Sequence, residues 1–525
     1  MNSITPDYAE LLGYFPFDGM RDGQRQALCE IREALLDDEI EFIILDAPTG
    51  SGKSGIGVCA AKAAGSAYTL TATKNLQHQY IGDFADLVEM RGRDNYLCDF
   101  PRGFFDVSCK TELKCPDDQE AGSPFCRKFY NIYKKAVFAD NTLLNFHAAL
   151  VYLNIEFKNC HKFETRNLLI LDEAHGIIDA ITDYSTFELR KVWFEANFKE
   201  FGTFPEFDSI AQYTDTLQKL KRFLEQIKER GQYRSFKDEL RDFIEQGPES
   251  IAKVLQDPKN YVVSREHRFE HVNISFKPLE IKEYAHANLF RHGRKTLLMS
   301  ATFLDLNTFC EMLDLPASKT RIIRMPCTFP VENRPFIVSA AVGYINQNNL
   351  QSMLPSMVQR IDEILNRYPD SKGIIHSVTY QNANYIDANL PAKNKARLLY
   401  ARSAKDQREM LKRHEDNQGP TILLSPSMTE GVNLKGDLST LQILVKTPWP
   451  YYGNVLLQER IKKYPNYYVM LTALTILQAY GRSIRSDTDK ADNYCLDAGT
   501  HHFIYNNQSI FPPWFLKAVT TVIPR

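Results

Sequence analysis

The amino-acid sequence predicts an α/β protein built on parallel β-sheets. Three short apolar runs each lead directly into a polar segment: residues 41–46 precede a glycine-rich loop, residues 168–171 precede two carboxylates, and residues 296–299 precede Ser300. Such runs are typical of strands that are buried on both faces of a parallel sheet. Ligands of open α/β sheets bind beyond the carboxyl ends of the strands, which makes the polar segments candidates for a binding site.

Length and composition limit the class of protein. The chain has 525 residues, 44% of them hydrophobic, which is enough for several cores and predicts three or four domains. It contains no apolar run long enough to span a bilayer, and residues 1–15 lack a basic segment followed by an apolar core. We therefore expect a cytoplasmic protein, of a prokaryote or of a virus inside its host cell, with no membrane partner. Because the formal net charge is −2, a nucleic-acid site would need a local basic groove.

The glycine-rich loop has the composition of a phosphate-binding loop. Gly50 and Gly52 let the backbone bend so that successive N–H groups face a phosphate, and a following helix would present its positive N-terminus to the same anion. Lys53 is expected to reach the β- and γ-phosphates of ATP, and the Ser54 hydroxyl to bind Mg²⁺. A fortuitous glycine-rich turn is the alternative. The predicted nucleotide-binding residues are Ala47, Pro48, Thr49, Gly50, Ser51, Gly52, Lys53 and Ser54.

Two carboxylates end the second apolar run. Asp172 is expected to hold Mg²⁺ through water, and Glu173 to orient and polarise the water that attacks the γ-phosphate. Paired acids are also common on protein surfaces. The phosphate-binding loop earlier in the chain favours the catalytic interpretation.

Four of the ten cysteines, Cys98, Cys109, Cys115 and Cys126, are close together in the sequence. The intervals between them are ten, five and ten residues, without the short Cys-x2-Cys knuckle that is typical of structural zinc. Disulfides are disfavoured in a reducing compartment. An iron–sulfur cluster, which accepts ligands from separated loops, therefore fits best, with zinc and a disulfide pair as the alternatives.

Further along the chain, residues 478–485 carry two arginines at helical spacing. Phosphoryl transfer needs positive charge against the γ-phosphate, and an arginine from a neighbouring domain supplies it when the domains close. Arg482 and Arg485 lie on one helix face and are candidate fingers, with Gln478 one turn before Arg482. Each alone would be assigned to the solvated surface. The order of the motifs favours a catalytic role.

Other segments complete a recognisable series. Gln24, preceded by Arg21, stands upstream of the loop, and residues 68–77 include Thr73, Lys74 and Gln77. The remaining segments are residues 92–98, 145–148, 425–433 and 448–450. Together with the motifs above, this series resembles the iron–sulfur superfamily-two DNA helicases, the group of XPD and bacterial DinG, and is closer to DinG. The resemblance extends over nearly the whole chain.

The resemblance implies two RecA-like parallel-sheet motor domains, with an iron–sulfur insertion and a helical arch insertion in the first. It implies that Gln24 reads adenine, that Gly431 contacts the nucleotide, and that Thr73, Lys74 and Gln77 contact DNA. The implied cofactors are ATP, Mg²⁺ and a 4Fe–4S cluster on the four cysteines. The expected boundaries are 1–88, 144–175 and 265–330 for the first motor domain, 89–143 for the cluster domain, 176–264 for the arch and 331–525 for the second motor domain.

Some positions depart from the family pattern. Asn433 stands where the family usually has Asp, residues 376–380 are a loose version of the fourth motif, and residues 497–499 lack an expected arginine. These departures concern DNA contacts in the second motor domain. The chain begins almost at the motor, so we expect no exonuclease domain.

Helical spacing predicts a hairpin in the arch. Leucines of residues 217–227 recur at helical intervals before Gly231, a plausible stop, and a second stripe in residues 236–244 leads to Gly247 and Pro248. The cluster insertion also interleaves aromatic and basic residues between 93 and 135. We expect two or three of these aromatics to stack on bases and the rest to pack the small domain.

The expected function is a monomeric, ATP-dependent DNA helicase. It would translocate 5′ to 3′ on single-stranded DNA and unwind forked duplex, with a single-strand-binding protein as a partner. The alternatives are a translocase that strips proteins or RNA with little unwinding, an RNA helicase, and a non-enzymatic nucleic-acid-binding subunit with a relic motor. The joint presence of Lys53, Glu173, Gln478, Arg482 and Arg485 argues against a relic.

Overall fold

The computed structural model describes residues 8–96, 127–155, 160–207, 209–231, 233, 238–268, 271–339, 342–346, 348–426, 434, 436–484 and 488–522. Its strands are β1 (Phe42–Asp46), β2 (Ala67–Thr71), β3 (Val88–Glu89), β4 (Asn141–Asn145), β5 (Arg166–Asp172), β6 (Phe187–Arg190), β7 (Tyr261–Arg268), β8 (His271–Pro278), β9 (Gly293–Ser300), β10 (Thr320–Arg324), β11 (Phe336–Ser339), β12 (Gly373–His376), β13 (Leu398–Tyr400), β14 (Ile422–Ser425), β15 (Leu441–Leu444), β16 (Asp492–Cys495) and β17 (Val519–Val522).

The α-helices of the same residues connect and cover these strands. They are α1 (Tyr8–Gly13), α2 (Gln24–Leu36), α3 (Lys53–Ala64), α4 (Lys74–Asp83), α5 (Arg127–Phe138), α6 (Phe146–Tyr152), α7 (Ile177–Tyr184), α8 (Lys191–Asn197), α9 (Ile210–Arg230), α10 (Asp238–Gln256), α11 (Lys282–Asn288), α12 (Leu306–Leu313), α13 (Leu350–Arg367), α14 (Tyr380–Asn389), α15 (Ala392–Lys395), α16 (Ala404–Asp416), α17 (Val455–Lys463), α18 (Tyr467–Tyr480), α19 (Ala498–Asn506) and α20 (Pro513–Leu516).

The first large sheet is parallel and has the order β10-β1-β9-β5-β2-β4-β3. Its central strands are buried on both faces, as their continuous apolar runs predict. In the register, Asp46 pairs with Ser300 and Thr71 pairs with Asp172. The carboxyl ends of β1, β9, β5 and β2 therefore meet at one edge of the sheet.

The second large sheet is also parallel and has the order β13-β14-β12-β15-β16-β11-β17. Strands β11, β12, β14 and β15 are short and almost entirely buried, as is typical of strands in a parallel sheet. The predicted fold class, α/β with two parallel-sheet domains, is confirmed.

A smaller unit lies between β5 and β9 in the chain. Helices α9 and α10 pack against each other, and Leu217, Leu220 and Leu224 are buried in the core of this unit, as the helical spacing predicts. Gly231 has a φ of 67° and ends α9, which agrees with its predicted role as a stop. Helix α10 continues through Pro248 to Gln256 instead of stopping there.

The same unit contains an antiparallel sheet that the helical prediction did not include. Its order is β6-β8-β7. The alternation of Val272, Ile274 and Phe276, all buried, is the period-2 signal that could have identified β8. The stripes of α9 and α10 therefore pack on a sheet as well as on each other.

Helix α17 and the start of α18 lie between β15 and β16 of the second sheet in sequence but pack against the first domain. Leu457, Tyr464, Tyr467 and Met470 belong to the hydrophobic core that covers the first sheet. Arg460 is almost fully buried, and its Nη2 donates to Thr182 Oγ1 at 2.7 Å. This packing fixes the direction in which α18 runs toward the edge of the first sheet.

Candidate nucleotide-binding site

The phosphate-binding loop connects β1 to α3 at the carboxyl edge of the first sheet. Gly50 and Gly52 have φ values of 80° and 81°, in the left-handed region that favours glycine. A Cβ atom at Gly52 would overlap the side-chain amide of Gln24. Since α3 begins at Lys53, the unpaired N–H groups of its first turn face the loop. The loop therefore has the backbone geometry of an anion site.

Lys53 lies inside this loop, with 7% of its surface exposed. Its Nζ donates a hydrogen bond to the carbonyl oxygen of Ala47 at 3.2 Å. Pro48 and Ser51 close the turn through a backbone hydrogen bond of 3.1 Å. The ammonium group is thus held at the centre of the loop, where it can pair with phosphate oxygens.

Asp172 lies opposite the loop at the end of β5. Its Oδ2 accepts a hydrogen bond from Ser54 Oγ at 3.2 Å, and its Oδ1 accepts one from the backbone N–H of Glu173 at 3.0 Å. Burial raises the pKa of Asp172, with a further rise from Glu173, while Lys53 and hydrogen bonds oppose that rise. A buried carboxylate and a hydroxyl converge here, and such oxygen ligands suit Mg²⁺.

Glu173 has an unusual backbone conformation. Its φ is 55°, in the left-handed region that non-glycine residues rarely adopt. This conformation turns the chain directly after β5, and the Glu173 side chain lines the same cavity as Lys53. Its Oε2 is 3.4 Å from His175 Nδ1. The carboxylate that sequence patterns assign to water activation therefore faces the phosphate-binding loop.

His175 connects the two large domains. Its Nε2 lies 2.9 Å from the Nε2 of Gln478 on α18, and its Nδ1 lies 2.8 Å from Ser300 Oγ at the end of β9. Since an amide nitrogen can only donate, Gln478 donates to His175 Nε2. The neutral imidazole then carries its proton on Nδ1 and donates it to Ser300 Oγ. The two polar segments that follow β5 and β9 are thus linked to α18 of the second large domain through one imidazole.

The C-terminal end of α18 forms the other wall of the site. A Cβ atom at Gly481 would lie 2.9 Å from Thr49 Oγ1, so glycine permits this close approach to the loop. Arg482 Nε donates to the Gln478 carbonyl at 2.9 Å, and the Arg482 side chain lines the cavity. Arg485 and Gly431, which the sequence also assigns to this site, lie outside the described residues.

The cavity between these walls has a volume of about 510 Å³. Its lining includes Lys53, Asp172 and Glu173 from the first domain and Gln478 from α18. Arg482 also lines the cavity, but it lies in the turn after Tyr480, where α18 ends, and not on a helix face as the sequence spacing predicts. This volume lies in the range of small-molecule and cofactor sites. The structure therefore brings together, in one cavity, most of the described residues that the sequence assigns to nucleotide chemistry, while Ala47, Pro48 and Ser51 of the loop lie outside its lining.

Gln24 and two aromatic residues form the outer part of the cavity. Gln24 Nε2 donates to the Ser51 carbonyl at 2.8 Å, and its Oε1 accepts from the Arg21 backbone N–H at 2.7 Å. Phe15 and Phe17, whose ring centroids are 5.8 Å apart, line the cavity, and Phe17 is 50% exposed. Sequence reasoning did not single out these two rings. Their position shortly before Gln24 is the signal that could have identified them.

The residues that the resemblance assigns to DNA are placed differently from one another. Thr73 caps α4 by accepting a hydrogen bond from Leu76 N at 3.2 Å and lines the nucleotide cavity, whereas Lys74 is exposed. Gln77 is fully buried, and its Nε2 donates to the Met90 carbonyl at 3.1 Å. This placement favours a structural role for Gln77 over direct contact with DNA.

The four clustered cysteines Cys98, Cys109, Cys115 and Cys126 lie outside the described residues. The chain on either side of them is brought together, because the rings of Tyr96 and Phe129 are 5.5 Å apart. Phe129, Tyr130 and Tyr133 of α5 are buried in the first domain's core. These three aromatics therefore serve packing, as expected for most of the set. Across the described part of the chain, His, Cys, Asp and Glu side chains do not converge in groups of three or more.

The chain is similar to known proteins both in sequence and in fold. Residues 369–517 match the family model of the helicase C-terminal domain. A solved structure named "XPD_Helicase" has a TM-score of 0.63 at 15% identity, covering 96% of this chain and 100% of that chain. "Structure of S. tokodaii Xpd4" has a TM-score of 0.58 at 14% identity, with the same coverage of 96% and 100%. "XPD_APO" has a TM-score of 0.57 at 13% identity, covering 95% and 99%.

These similarities establish the fold, and the matched domain supports a helicase. No curated protein matches the chain by sequence.

Within the described ranges, every helix is too short or too polar to cross a membrane.

Proposed function

We propose that this chain is an ATP-dependent DNA helicase that moves 5′ to 3′ along single-stranded DNA and unwinds duplex DNA. The observation that carries the proposal is the shared cavity, in which the loop of residues 47–54 and the acid pair face Gln478 of α18 and Arg482 of the turn that follows this helix. Because the walls belong to both large domains, a nucleotide bound there would hold the domains together, and its hydrolysis would release them.

Each residue has a distinct task in this proposal. The backbone N–H groups of the loop and Lys53 bind the phosphates, and Glu173 orients the attacking water. Arg482 supplies positive charge against the γ-phosphate as the domains close, and Arg485 is proposed for the same role. The hydrogen bond of 2.9 Å between Gln478 and His175 couples the position of α18 to the nucleotide state of the first domain.

The proposed metal is Mg²⁺, held by Ser54 and Asp172. Their oxygens fit this ion because a hydroxyl and a carboxylate lie 3.2 Å apart next to the phosphate-binding loop. When bound, Mg²⁺ supplies positive charge that neutralises the phosphates. The part of the protein is to hold both oxygens in place and to keep the Asp172 carboxylate buried.

The DNA track is proposed across both domains. Thr73 and the exposed Lys74 are proposed contacts in the first domain, while Gln77 supports them by fixing α4 to the Met90 carbonyl. The 5′ to 3′ polarity, a single-strand-binding protein as partner and a monomeric state follow from the resemblance to DinG. The domain boundaries given by the sequence are part of the same proposal, except that β7 and β8 share the core of α9 and α10, which extends the proposed arch beyond residue 264 to Pro278.

We also propose a 4Fe–4S cluster that is bound by Cys98, Cys109, Cys115 and Cys126. The rings of Tyr96 and Phe129 are 5.5 Å apart, so the segment that carries the cysteines leaves the first domain and returns to it at neighbouring points, which supports the proposal that it is an insertion. A cluster of this kind would hold the insertion in its fold.

DNA-dependent ATP hydrolysis tests the proposal. Steady-state hydrolysis should rise when a single-stranded oligonucleotide is added to the wild type, and it should be lost in Glu173→Gln with or without DNA. Glu200→Gln, at an exposed position, is the matched control and should behave as the wild type. Hydrolysis that ignores DNA, or that survives in Glu173→Gln, would contradict the proposed motor.

A further inference from the structure

A buried tyrosine on α4 contacts the carboxylate that is proposed to hold Mg²⁺. The Tyr80 hydroxyl donates to Asp172 Oδ2 at 2.7 Å, a shorter distance than the 3.2 Å between that oxygen and Ser54 Oγ. The Tyr80 side chain is fully buried. A short hydrogen bond from a neutral donor to a buried carboxylate is one of the stronger polar contacts in a protein.

The hydrogen bonds of Asp172 come from three directions. Ser54 donates from the first turn of α3, the backbone N–H of Glu173 donates to Oδ1 at 3.0 Å, and Tyr80 donates from the last part of α4. Together they prevent the carboxylate from turning about its Cβ–Cγ bond. Of these donors, Tyr80 is the one outside the predicted phosphate-binding loop and acid box.

The position of Tyr80 is itself rigid. Its ring lies 5.5 Å from the ring of Phe84 and packs in a small buried cluster with Val58 and Leu143. One turn earlier on α4, Gln77 is tied to the Met90 carbonyl at 3.1 Å. The hydroxyl therefore reaches Asp172 from a helix that is fixed to the sheet.

We propose that Tyr80 is a positioning residue that fixes the Asp172 carboxylate for the divalent cation. This inference rests on the proposed function, since it assumes that Asp172 and Ser54 bind the metal of a metal–nucleotide complex. Partners that orient a metal ligand generally affect metal affinity about 10- to 100-fold. Because Tyr80 follows Thr73 and Lys74 on the same helix, it also joins the metal site to the proposed DNA contacts.

Metal binding to the ADP complex tests this role with a readout other than activity. Mn²⁺ is titrated into the protein with ADP, and free Mn²⁺ is measured by electron paramagnetic resonance. Tyr80→Phe removes only the hydroxyl and should weaken Mn²⁺ binding about tenfold, while the affinity for ADP without metal is unchanged.

The matched control is Tyr68→Phe. Tyr68 is also fully buried, but its hydroxyl donates to the Glu164 carbonyl at 2.8 Å, away from the metal site. It should bind Mn²⁺ as the wild type does. Thermal unfolding of both variants without metal verifies that each is folded at the temperature of the titration.

A double-mutant cycle keeps the inference testable if Tyr80→Phe is less stable. In an Asp172→Asn background, adding Tyr80→Phe should cause no further loss of Mn²⁺ affinity, because Tyr80 acts through Asp172. Equal and additive losses in both backgrounds, or wild-type affinity in Tyr80→Phe, would overturn the inference. A wild type that binds ADP without any effect of Mn²⁺ would instead contradict the proposed function.

Discussion

Lys53 and Glu173 face the same cavity but act on different species, so their loss should separate binding from hydrolysis. Lys53→Ala removes the ammonium group that pairs with the phosphates and should weaken ATP binding as well as stop turnover. Glu173→Gln keeps the shape of the side chain but not its charge, so it should bind ATP normally while the hydrolysis rate falls about 10²-fold or more. ATP affinity by equilibrium titration and turnover by phosphate release distinguish the two variants.

The opposite pattern would reassign both residues. Normal ATP affinity in Lys53→Ala would mean that the ammonium group serves only its hydrogen bond to the Ala47 carbonyl. Retained turnover in Glu173→Gln would remove this carboxylate from the reaction.

His376, at the end of β12, makes the second domain sensitive to acid. Burial lowers the pKa of this imidazole, the hydrogen bond to Gln442 opposes that shift and nearby Arg482 adds to it, with a resulting pKa of about 4. In the described part of the chain, its Nδ1 has no hydrogen-bond partner, so a proton there would be an uncompensated buried charge.

The folded-state pKa of His376 lies below the ordinary histidine value. At pH values between these two pKa values, the unfolded chain therefore binds more protons than the folded chain. His376 therefore does not reduce the free energy of unfolding above a pH of about 6.5. As the pH falls from there toward about 4, its titration lowers the free energy of unfolding, by about 2 kcal/mol at pH 5. The drop in melting temperature between pH 7 and pH 5 should be smaller in His376→Gln than in the wild type. His502→Gln, at an exposed position, should keep the wild-type drop. An identical drop in His376→Gln would contradict the assignment.

Some residue contacts in the candidate site could be predicted from the sequence motifs, and others could not. The motif positions predicted Lys53, Asp172 and Glu173 as neighbours in space, because each follows a buried parallel strand. The burial of Gln77 and the contact of Tyr80 with Asp172 could not be predicted, since both depend on how α4 lies against the sheet. Which side chains of α4 face the sheet is set by tertiary packing and not by the local motif.

The turn after α18 carries the proposed finger, Arg482, and the effect of this residue should appear in the closed state of the two domains. Arg482→Ala should lower kcat about 10²-fold or more, with little change in ATP affinity, because the charge is needed only against the γ-phosphate. Arg482→Lys, which keeps the charge but not the guanidinium geometry, should retain part of the rate. Parallel measurement of kcat and ATP binding separates these effects. An equal loss of affinity and rate would assign Arg482 to structure, through its hydrogen bond to the Gln478 carbonyl.

Whole elements were predicted best where periodicity was strong. The leucine stripe of α9 predicted its buried face and Gly231 its end. Pro248 was a misleading signal, because α10 continues through it to Gln256. A proline removes one backbone donor, and packing of α10 on α9 can offset that loss. The antiparallel sheet of β6, β8 and β7 was missed because the period-2 alternation of β8 was not read, and because β6 pairs with β8 from far away in the sequence.

The four clustered cysteines should stabilise the insertion without taking part in hydrolysis. Changing any one of Cys98, Cys109, Cys115 and Cys126 to Ser should bleach the brown colour of the protein and abolish unwinding. Basal ATP hydrolysis should persist, because the nucleotide cavity is formed by other segments. Cys160→Ser and Cys310→Ser are the controls and should keep both colour and activity. Iron that stays at wild-type content in Cys115→Ser but falls in Cys160→Ser would show that the ligand set is wrong.

At the scale of the molecule, the two parallel sheets were predictable because their strands are continuous apolar runs. The docking of α17 and α18 on the first domain was not. Arg460 is charged and would be assigned to the surface, yet it is buried against Thr182 across the two domains. Such contacts join residues far apart in the chain and leave no local pattern. They nevertheless decide that Gln478 and Arg482 reach the phosphate-binding loop.

Strand displacement on tailed duplexes tests the central claim, an ATP-driven motor with 5′ to 3′ polarity, most directly. Protein purified without oxygen is given duplexes with a 5′ tail, a 3′ tail or no tail, with ATP and Mg²⁺. The account predicts that the 5′-tailed duplex is separated, that the other two are not, and that Glu173→Gln separates none. Preferential separation of the 3′-tailed duplex, or no separation by protein that hydrolyses ATP on single-stranded DNA, would contradict it.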